Sequence, residues 1–140
     1  MTAPADTILI AEDSEDDVFF LKRALKQAKL LHPTQVVADG REATEYLSGQ
    51  GRFADRSKHP LPRLLFLDLK LPYKHGFEVL AWMRAQSSLA TVPVVILTSS
   101  SEARDVDQAR ELGAQSFMVK PPYPDDLRSL YEKLLGNPGT

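Results

Sequence analysis

Residues 64–72 read Leu-Leu-Phe-Leu-Asp-Leu-Lys-Leu-Pro, and this stretch decides the fold class. An apolar run of this length that ends abruptly at a charged residue, Asp68, predicts a short strand buried on both faces. Such strands are typical of parallel sheets that helices cover on both sides. Pro72 and Gly76 then predict a turn before the next helix.

The same succession of apolar run, polar residue and helical pattern recurs along the chain. The predicted strands are Thr7–Ala11, Gln35–Ala38, Leu64–Leu67, Val94–Leu97 and Ser116–Val119. Helix starts are predicted at caps or at a first-turn proline, namely Ser14, Asp39 with Glu42, Ser99–Ser101 and Pro124. Five βα units in succession predict an α/β fold with a parallel sheet between two helical layers.

Length and composition limit the classes of protein that fit. A chain of 140 residues favours a single domain, with a core over residues 7–135 and no output domain. Seventeen lysines and arginines against nineteen aspartates and glutamates leave a net charge of −2, which gives no electrostatic reason to bind nucleic acid or a membrane. The lack of cysteine excludes thiol chemistry and cysteine-ligated metals. Without a visible signal peptide or spanning segment, we expect a cytoplasmic protein.

Candidate site residues stand at the ends of four of the five predicted strands, whereas Asp39 after the second is assigned to a helix cap. Glu12 and Asp13 follow the first, Asp68 the third, Thr98 ends the fourth, and Lys120 follows the fifth. The carboxyl ends of parallel strands meet at one edge of the sheet, where ligands bind in open α/β folds. We therefore expect three acids, a hydroxyl and an ammonium group to converge there.

This set of groups indicates phosphoryl chemistry. Clustered carboxylates repel one another and favour a hard divalent cation, and Mg²⁺ prefers oxygen ligands together with phosphate oxygens. An Asp68 oxygen left free by the metal can attack phosphorus, because aspartate can carry a phosphoryl group covalently. Lys120 and Thr98 are suited to neutralise the phosphoryl oxygens during transfer.

From Ile8 to Leu135 the chain resembles the receiver domain of two-component response regulators. The resemblance rests on Glu12-Asp13, Asp68 in its apolar stretch, Gly76 four residues after Pro72, Thr98-Ser99, Phe117 and Lys120-Pro121. A long basic loop over residues 49–63 and the lack of an output domain are most similar to single-domain regulators that partner phytochrome-type histidine kinases.

The resemblance implies a flavodoxin-like (βα)5 fold with strand order 2-1-3-4-5 and a phosphoacceptor switch rather than an enzyme that turns over a substrate. It makes Asp68 the phosphoacceptor and Thr98 and Phe117 the switch residues. It places Mg²⁺ on Glu12, Asp13, Asp68 and the backbone carbonyl of Lys70. It further implies a cis Lys120–Pro121 peptide bond, a histidine kinase or histidine phosphotransfer protein as partner, and a homodimer.

Two positions depart from the family pattern. Glu12 stands where aspartate is more usual, so its contact with the metal is expected to run through water. The side chain of Lys70 lies where residue identity tunes the lifetime of the phosphoryl group.

Other interpretations compete with this one. A haloacid-dehalogenase-type phosphohydrolase also uses a nucleophilic aspartate, a hydroxyl and a lysine. It needs a second aspartate two residues later, where this chain has Lys70. A dinucleotide-binding domain would need a glycine-rich loop after the first strand, and none is present. An unphosphorylated scaffold conflicts with intact Asp68, Asp13 and Lys120.

Single residues also have simpler interpretations. Phe117 suits ordinary core packing, Asp39 suits a helix cap alone, and the basic residues of loop 49–63 suit a solvated surface. His32, His59 and His75 show no metal-ligand spacing.

Overall fold

A computed structural model of the protein describes residues 7–99 and 103–136. The strands are β1 (Ile8–Ala11), β2 (Thr34–Val37), β3 (Leu64–Leu67), β4 (Val94–Thr98) and β5 (Ser116–Val119). They form one sheet in the order β2-β1-β3-β4-β5, and every neighbouring pair is parallel. The predicted flavodoxin-like topology is confirmed.

Helices cover both faces of the sheet. They are α1 (Glu15–Gln27), α2 (Gly40–Ser48), α3 (Gly76–Arg84), α4 (Ala103–Glu111) and α5 (Pro124–Leu135). The alternating side chains of β1 and β3 enter two separate cores. One core includes residues of α1 and α5, such as Leu25 and Leu127, and the other includes residues of α2, α3 and α4, such as Leu47 and Leu80. The double burial explains why β1 and β3 are uniformly apolar.

The helix starts follow the sequence signals with one difference in detail. The Ser14 side chain accepts a hydrogen bond from the Asp17 amide, and the Asp39 side chain accepts one from the Glu42 amide at 2.7 Å. Glu42 reaches the amide of Ala38 at 2.9 Å, one residue before the cap. Strand β2 ends at Val37 rather than the predicted Ala38. In the predicted Ser99–Ser101 cap, Ser100 and Ser101 lie outside the described residues.

The basic loop over residues 49–63 is partly built into the fold. A short 3-10 turn, Gly51–Phe53, buries the Phe53 ring 5.1 Å from that of Tyr46. The Arg56 guanidinium donates hydrogen bonds to the carbonyl oxygens of Tyr46 and Leu47 at the end of α2, at 2.7 and 2.9 Å. The expectation of a solvated basic surface is therefore wrong for Arg56, which caps α2 instead.

Candidate metal and phosphoacceptor site

Three carboxylates meet at the carboxyl edge of the sheet. Ala11 and Leu67 are register partners in the adjacent strands β1 and β3, so the residues that follow them emerge side by side. Glu12, Asp13 and Asp68 each offer one carboxylate oxygen, and these oxygens lie within 4.8 Å of one another. Glu12 and Asp68 are buried, whereas Asp13 is exposed.

The Lys120 ammonium lies against this cluster. Its Nζ atom makes its shortest contact with Glu12 Oε1, lies 2.8 Å from Asp17 Oδ2, and lies 3.6 Å from Asp68 Oδ1. The Lys120 amide donates to the Thr98 carbonyl at 2.7 Å, which holds the lysine at the end of β5. The Lys120–Pro121 peptide bond is cis, as the resemblance implied.

Burial and hydrogen bonding shift the charges of this site. Burial raises the pKa of the Glu12 carboxyl, and hydrogen bonds from Lys120 and the Ser14 amide only partly offset the effect. Burial alone would lower the pKa of Lys120. Its hydrogen bonds to Asp17 and Glu12, together with the charge of Asp68, outweigh burial and raise that pKa. Lys120 therefore remains an ammonium group at neutral pH.

The donor set fits a hard divalent cation. Three carboxylate oxygens in one small cluster are the ligands that such a cation prefers. Both oxygens of Glu12 already have a partner, because Oε1 contacts Lys120 and Oε2 accepts from the Ser14 amide at 3.1 Å. Asp13 and Asp68 are the carboxylates with oxygens best placed for direct ligation.

The residues expected to act as a switch lie on neighbouring strands. Thr98 ends β4 and is buried, with 1% of its surface exposed. Phe117 lies on β5, where it pairs in register with Ile96 of β4 and packs against the core between the sheet and α2, α3 and α4. It also lines a cavity between α4 and β5, together with Val106 and Ala109.

Gly76, the first residue of α3, allows this helix to start close to the backbone of Asp68 and Leu69. The Gly76 amide donates to the Leu69 carbonyl at 2.7 Å, and a Cβ atom on Gly76 would lie 2.5 Å from the Asp68 carbonyl oxygen. Only glycine allows this approach. Lys70 is exposed in this segment. His75 caps α3, since its Nδ1 accepts from the Phe77 amide at 3.1 Å.

Asp17, in the first turn of α1, joins the site although it was not among the site residues predicted from the sequence. Its contact with Lys120 connects residues 103 positions apart. No local signal marks this contact, because three acids occupy the same turn and acids are common at the start of a helix.

A five-stranded parallel sheet whose carboxyl edge holds clustered acids and a lysine is the arrangement expected of a signalling domain of the two-component class. Residues 8–132 match the family model described as the response regulator receiver domain, and the chain belongs to this family.

Individual relatives agree with the family assignment. The response regulator Rcp1 of Synechocystis sp. is 34% identical over 133 residues, covering 95% of this chain and 86% of Rcp1. The Mn²⁺-bound structure of Rcp1 superposes with a TM-score of 0.77 at 32% identity, over 93% of this chain and 95% of that one.

Two further structures are also similar. The response regulator RPA3017, from red light signalling of R. palustris, gives a TM-score of 0.85 at 30% identity, over 92% and 93% of the two chains. The phosphorylated cyanobacterial phytochrome response regulator RcpA gives 0.80 at 30% identity, over 94% of each chain.

These findings decide between the competing classes. The chain is a receiver domain that resembles phytochrome response regulators, as the sequence predicted. Receiver domains are signalling switches, not enzymes that turn over a substrate, and nothing in the matches supports the phosphohydrolase alternative. Within residues 7–99 and 103–136, no helix is long and apolar enough to cross a membrane.

Proposed function

We propose that Asp68 accepts a phosphoryl group from the phosphohistidine of a histidine kinase in a Mg²⁺-dependent reaction. The observation that carries this proposal is the buried Asp68 carboxylate, clustered with Glu12 and Asp13 and 3.6 Å from the Lys120 ammonium. This arrangement combines a nucleophile, a cation site and a fixed positive charge.

The transfer to Asp68 needs no reagent other than the phosphohistidine. An Asp68 carboxylate oxygen attacks phosphorus while the phosphorus–nitrogen bond of the phosphohistidine breaks, and the imidazole nitrogen keeps the electron pair. In the separate step that restores the resting state, water attacks phosphorus, the bond to the Asp68 oxygen breaks, and inorganic phosphate leaves, which frees the Asp68 carboxylate. Lys120 and Thr98 hold phosphoryl oxygens in both steps.

Asp13 and Asp68, with the backbone carbonyl of Lys70, are the proposed direct ligands of the cation. Glu12 acts through water, because its two oxygens are already engaged by Lys120 and the Ser14 amide. The bound cation neutralises the negative charge that carboxylates and phosphoryl oxygens would otherwise accumulate. A divalent ion is supported by the relative Rcp1, whose structure was solved in a Mn²⁺-bound form.

The similar proteins favour a phytochrome-type histidine kinase as the partner that donates the phosphoryl group. A histidine phosphotransfer protein is the alternative donor, because it also carries a phosphohistidine. RPA3017 and RcpA, both similar to this chain, come from light signalling. We place the protein in the cytoplasm, where the kinase domains of such systems act, and propose a homodimer as a further assembly.

The output of the switch is proposed to be a rearrangement of Thr98 and Phe117. Thr98 turns toward a phosphoryl oxygen, and Phe117 fills the space that the movement vacates. Packed interiors pass between discrete arrangements, so a small shift at Asp68 is transmitted to β5 and the neighbouring helices.

Phosphotransfer from a phosphorylated phytochrome-type kinase to the wild-type protein and to Asp68→Asn tests this proposal. We expect Mg²⁺-dependent label on the wild type, no label after addition of a chelator, and no label on Asp68→Asn. Equal labelling of Asp68→Asn would contradict the assignment of the phosphoacceptor.

A further inference from the structure

The Lys120 ammonium is shared unequally among three carboxylates. Its contact with Asp17 Oδ2 measures 2.8 Å, whereas Asp68 Oδ1 lies 3.6 Å away, beyond hydrogen-bond length. Glu12 takes the remaining short contact. An ammonium group has three donors, and here its two short bonds go to carboxylates other than the proposed phosphoacceptor.

The place of Asp17 is fixed by the start of α1. The Asp17 amide donates to the Ser14 side chain at 3.2 Å, so the first turn is held at its cap. Three acids occupy that turn, but Glu15 and Asp16 are exposed, whereas the side chain of Asp17 is partly covered, with 36% exposed. The contact with Lys120 therefore distinguishes Asp17 from its two acidic neighbours.

A phosphoryl group on Asp68 changes the competition for this ammonium. It brings new anionic oxygens near Lys120, which Asp17 now holds by a shorter contact than the one to Asp68. Lys120 has a third donor for those oxygens, but closing the 3.6 Å gap toward Asp68 moves the ammonium group against its bond to Asp17. The cost of that exchange falls on the step that forms the phosphorylated state, because the unphosphorylated protein has the bond to Asp17 intact.

We infer that Asp17 is a positioning residue that holds the Lys120 ammonium away from Asp68 in the unphosphorylated protein and thereby slows phosphorylation. This inference rests on the proposed function of Asp68. It assigns α1 a part in the reaction, since any displacement of the first turn of α1 changes how freely Lys120 reaches the phosphoryl oxygens.

Acetyl phosphate is the suitable donor for the test, because no kinase then contacts α1. In this reaction an Asp68 oxygen attacks phosphorus, the bond from phosphorus to the acyl oxygen breaks, and acetate leaves with the electron pair. The variants are Asp17→Asn, which keeps the shape and removes the charge, and Asp17→Glu, which keeps the charge. The matched control is Asp16→Asn, an equal charge change in the same turn.

We expect Asp17→Asn to be phosphorylated roughly two- to fivefold faster than the wild type, a size typical of a partly exposed ion pair. Asp17→Glu and Asp16→Asn are expected to stay near the wild-type rate. Loss of a merely structural contact would lower the melting temperature without accelerating phosphorylation. An equal or slower rate for Asp17→Asn would overturn the inference.

A second measurement uses the wild-type protein and so does not depend on a variant that folds. With Mg²⁺ and beryllofluoride, a phosphoryl mimic, the carboxyl carbon resonance of Asp17 should shift as the ammonium leaves; an unchanged resonance would overturn the inference. If the wild-type protein takes up no phosphoryl group from the kinase or from acetyl phosphate, that result contradicts the proposed function itself. Uptake at equal rates by wild type and Asp17→Asn contradicts only the role of Asp17.

Discussion

The two ends of the sheet hold their cations in opposite ways. At the carboxyl end, Lys120 is surrounded by the carboxylates of Glu12, Asp17 and Asp68. Near the amino ends of β4 and β5, the Arg84 guanidinium donates to neutral oxygens, namely the carbonyls of Leu89, Ala90, Val92 and Gly113 and the side chain of Gln115.

This difference separates a functional charge from a structural one. Carboxylates can exchange one cation for another, so a divalent ion or a phosphoryl group can redistribute the contacts of Lys120. Backbone carbonyls belong to the fold and offer Arg84 no alternative arrangement. Burial lowers the pKa of Arg84, which shows that its neutral partners provide no opposing charge of comparable effect. The amino end is therefore the fixed frame, and the carboxyl end is the adjustable one.

The largest effect that we predict concerns Arg84 at the amino end of the sheet. Arg84→Ala removes donors from several partly buried carbonyl oxygens at once, and unpaired buried acceptors are costly. We expect the free energy of unfolding to fall by about 2–4 kcal/mol, measured by urea denaturation.

Arg128→Ala is the matched control for Arg84. Arg128 donates to one carbonyl, that of Ala28 at 3.0 Å, and pairs with Glu132 on the surface of α5. Its loss should cost less than about 1 kcal/mol. Similar small losses in both variants would remove the contrast between the two ends of the sheet.

A smaller effect of opposite sign is predicted at the adjustable end. Asp68→Ala removes a buried charge that Glu12 and Asp13 repel, while Lys120 keeps its short contacts with Glu12 and Asp17. Without divalent ions we expect the melting temperature to rise by about 2–5 °C, as for a gain near 1 kcal/mol in a domain of this size.

Divalent ions should reverse the order of the melting temperatures of the wild type and Asp68→Ala. Saturating Mg²⁺ stabilises the wild type by mass action but has little effect on Asp68→Ala. Asp16→Ala, which removes an exposed charge outside the cluster, serves as the control and should respond to Mg²⁺ as the wild type does. A melting temperature of Asp68→Ala below that of the wild type without divalent ions would mean that Asp68 is chiefly a structural partner of Lys120.

The sequence predicted the strands and the convergence of the residues that follow them, and it missed contacts made by side chains away from the strand ends. Apolar runs ending at Glu12, Asp68 and Lys120 predicted the sheet and its polar edge, because burial on both faces leaves few other arrangements. Strand β2 ended one residue early, since the Ala38 amide bonds to Glu42 instead of continuing the strand.

The roles of Asp17 and Arg56 could not be predicted from local sequence. Each depends on a partner that folding brings close, namely Lys120 just after β5 for Asp17 and the final carbonyls of α2 for Arg56. An acid in the first turn of a helix and an arginine in a loop are both common, so neither pattern indicates a specific contact.

The smallest predicted effect concerns Lys70, which within the part of the chain that the structure describes is held neither by carboxylates, as Lys120 is, nor by backbone carbonyls, as Arg84 is. It is exposed two residues beyond Asp68, whereas Lys120 and Arg84 are held by partners around them. A flexible ammonium at this position adds positive charge near the phosphoryl oxygens and occupies space that an attacking water needs for in-line approach. Pinning a long, hydrated lysine costs rotamer entropy, which keeps the effect modest.

We expect Lys70→Ala and Lys70→Met to lose the phosphoryl group roughly twofold faster than the wild type, as measured by decay of the labelled protein. Lys58→Ala, a change of equal charge in the loop over residues 49–63, should decay at the wild-type rate. Equal or slower decay of both Lys70 variants would assign this lysine to the solvated surface and leave Lys120 as the lysine that acts on the phosphoryl group.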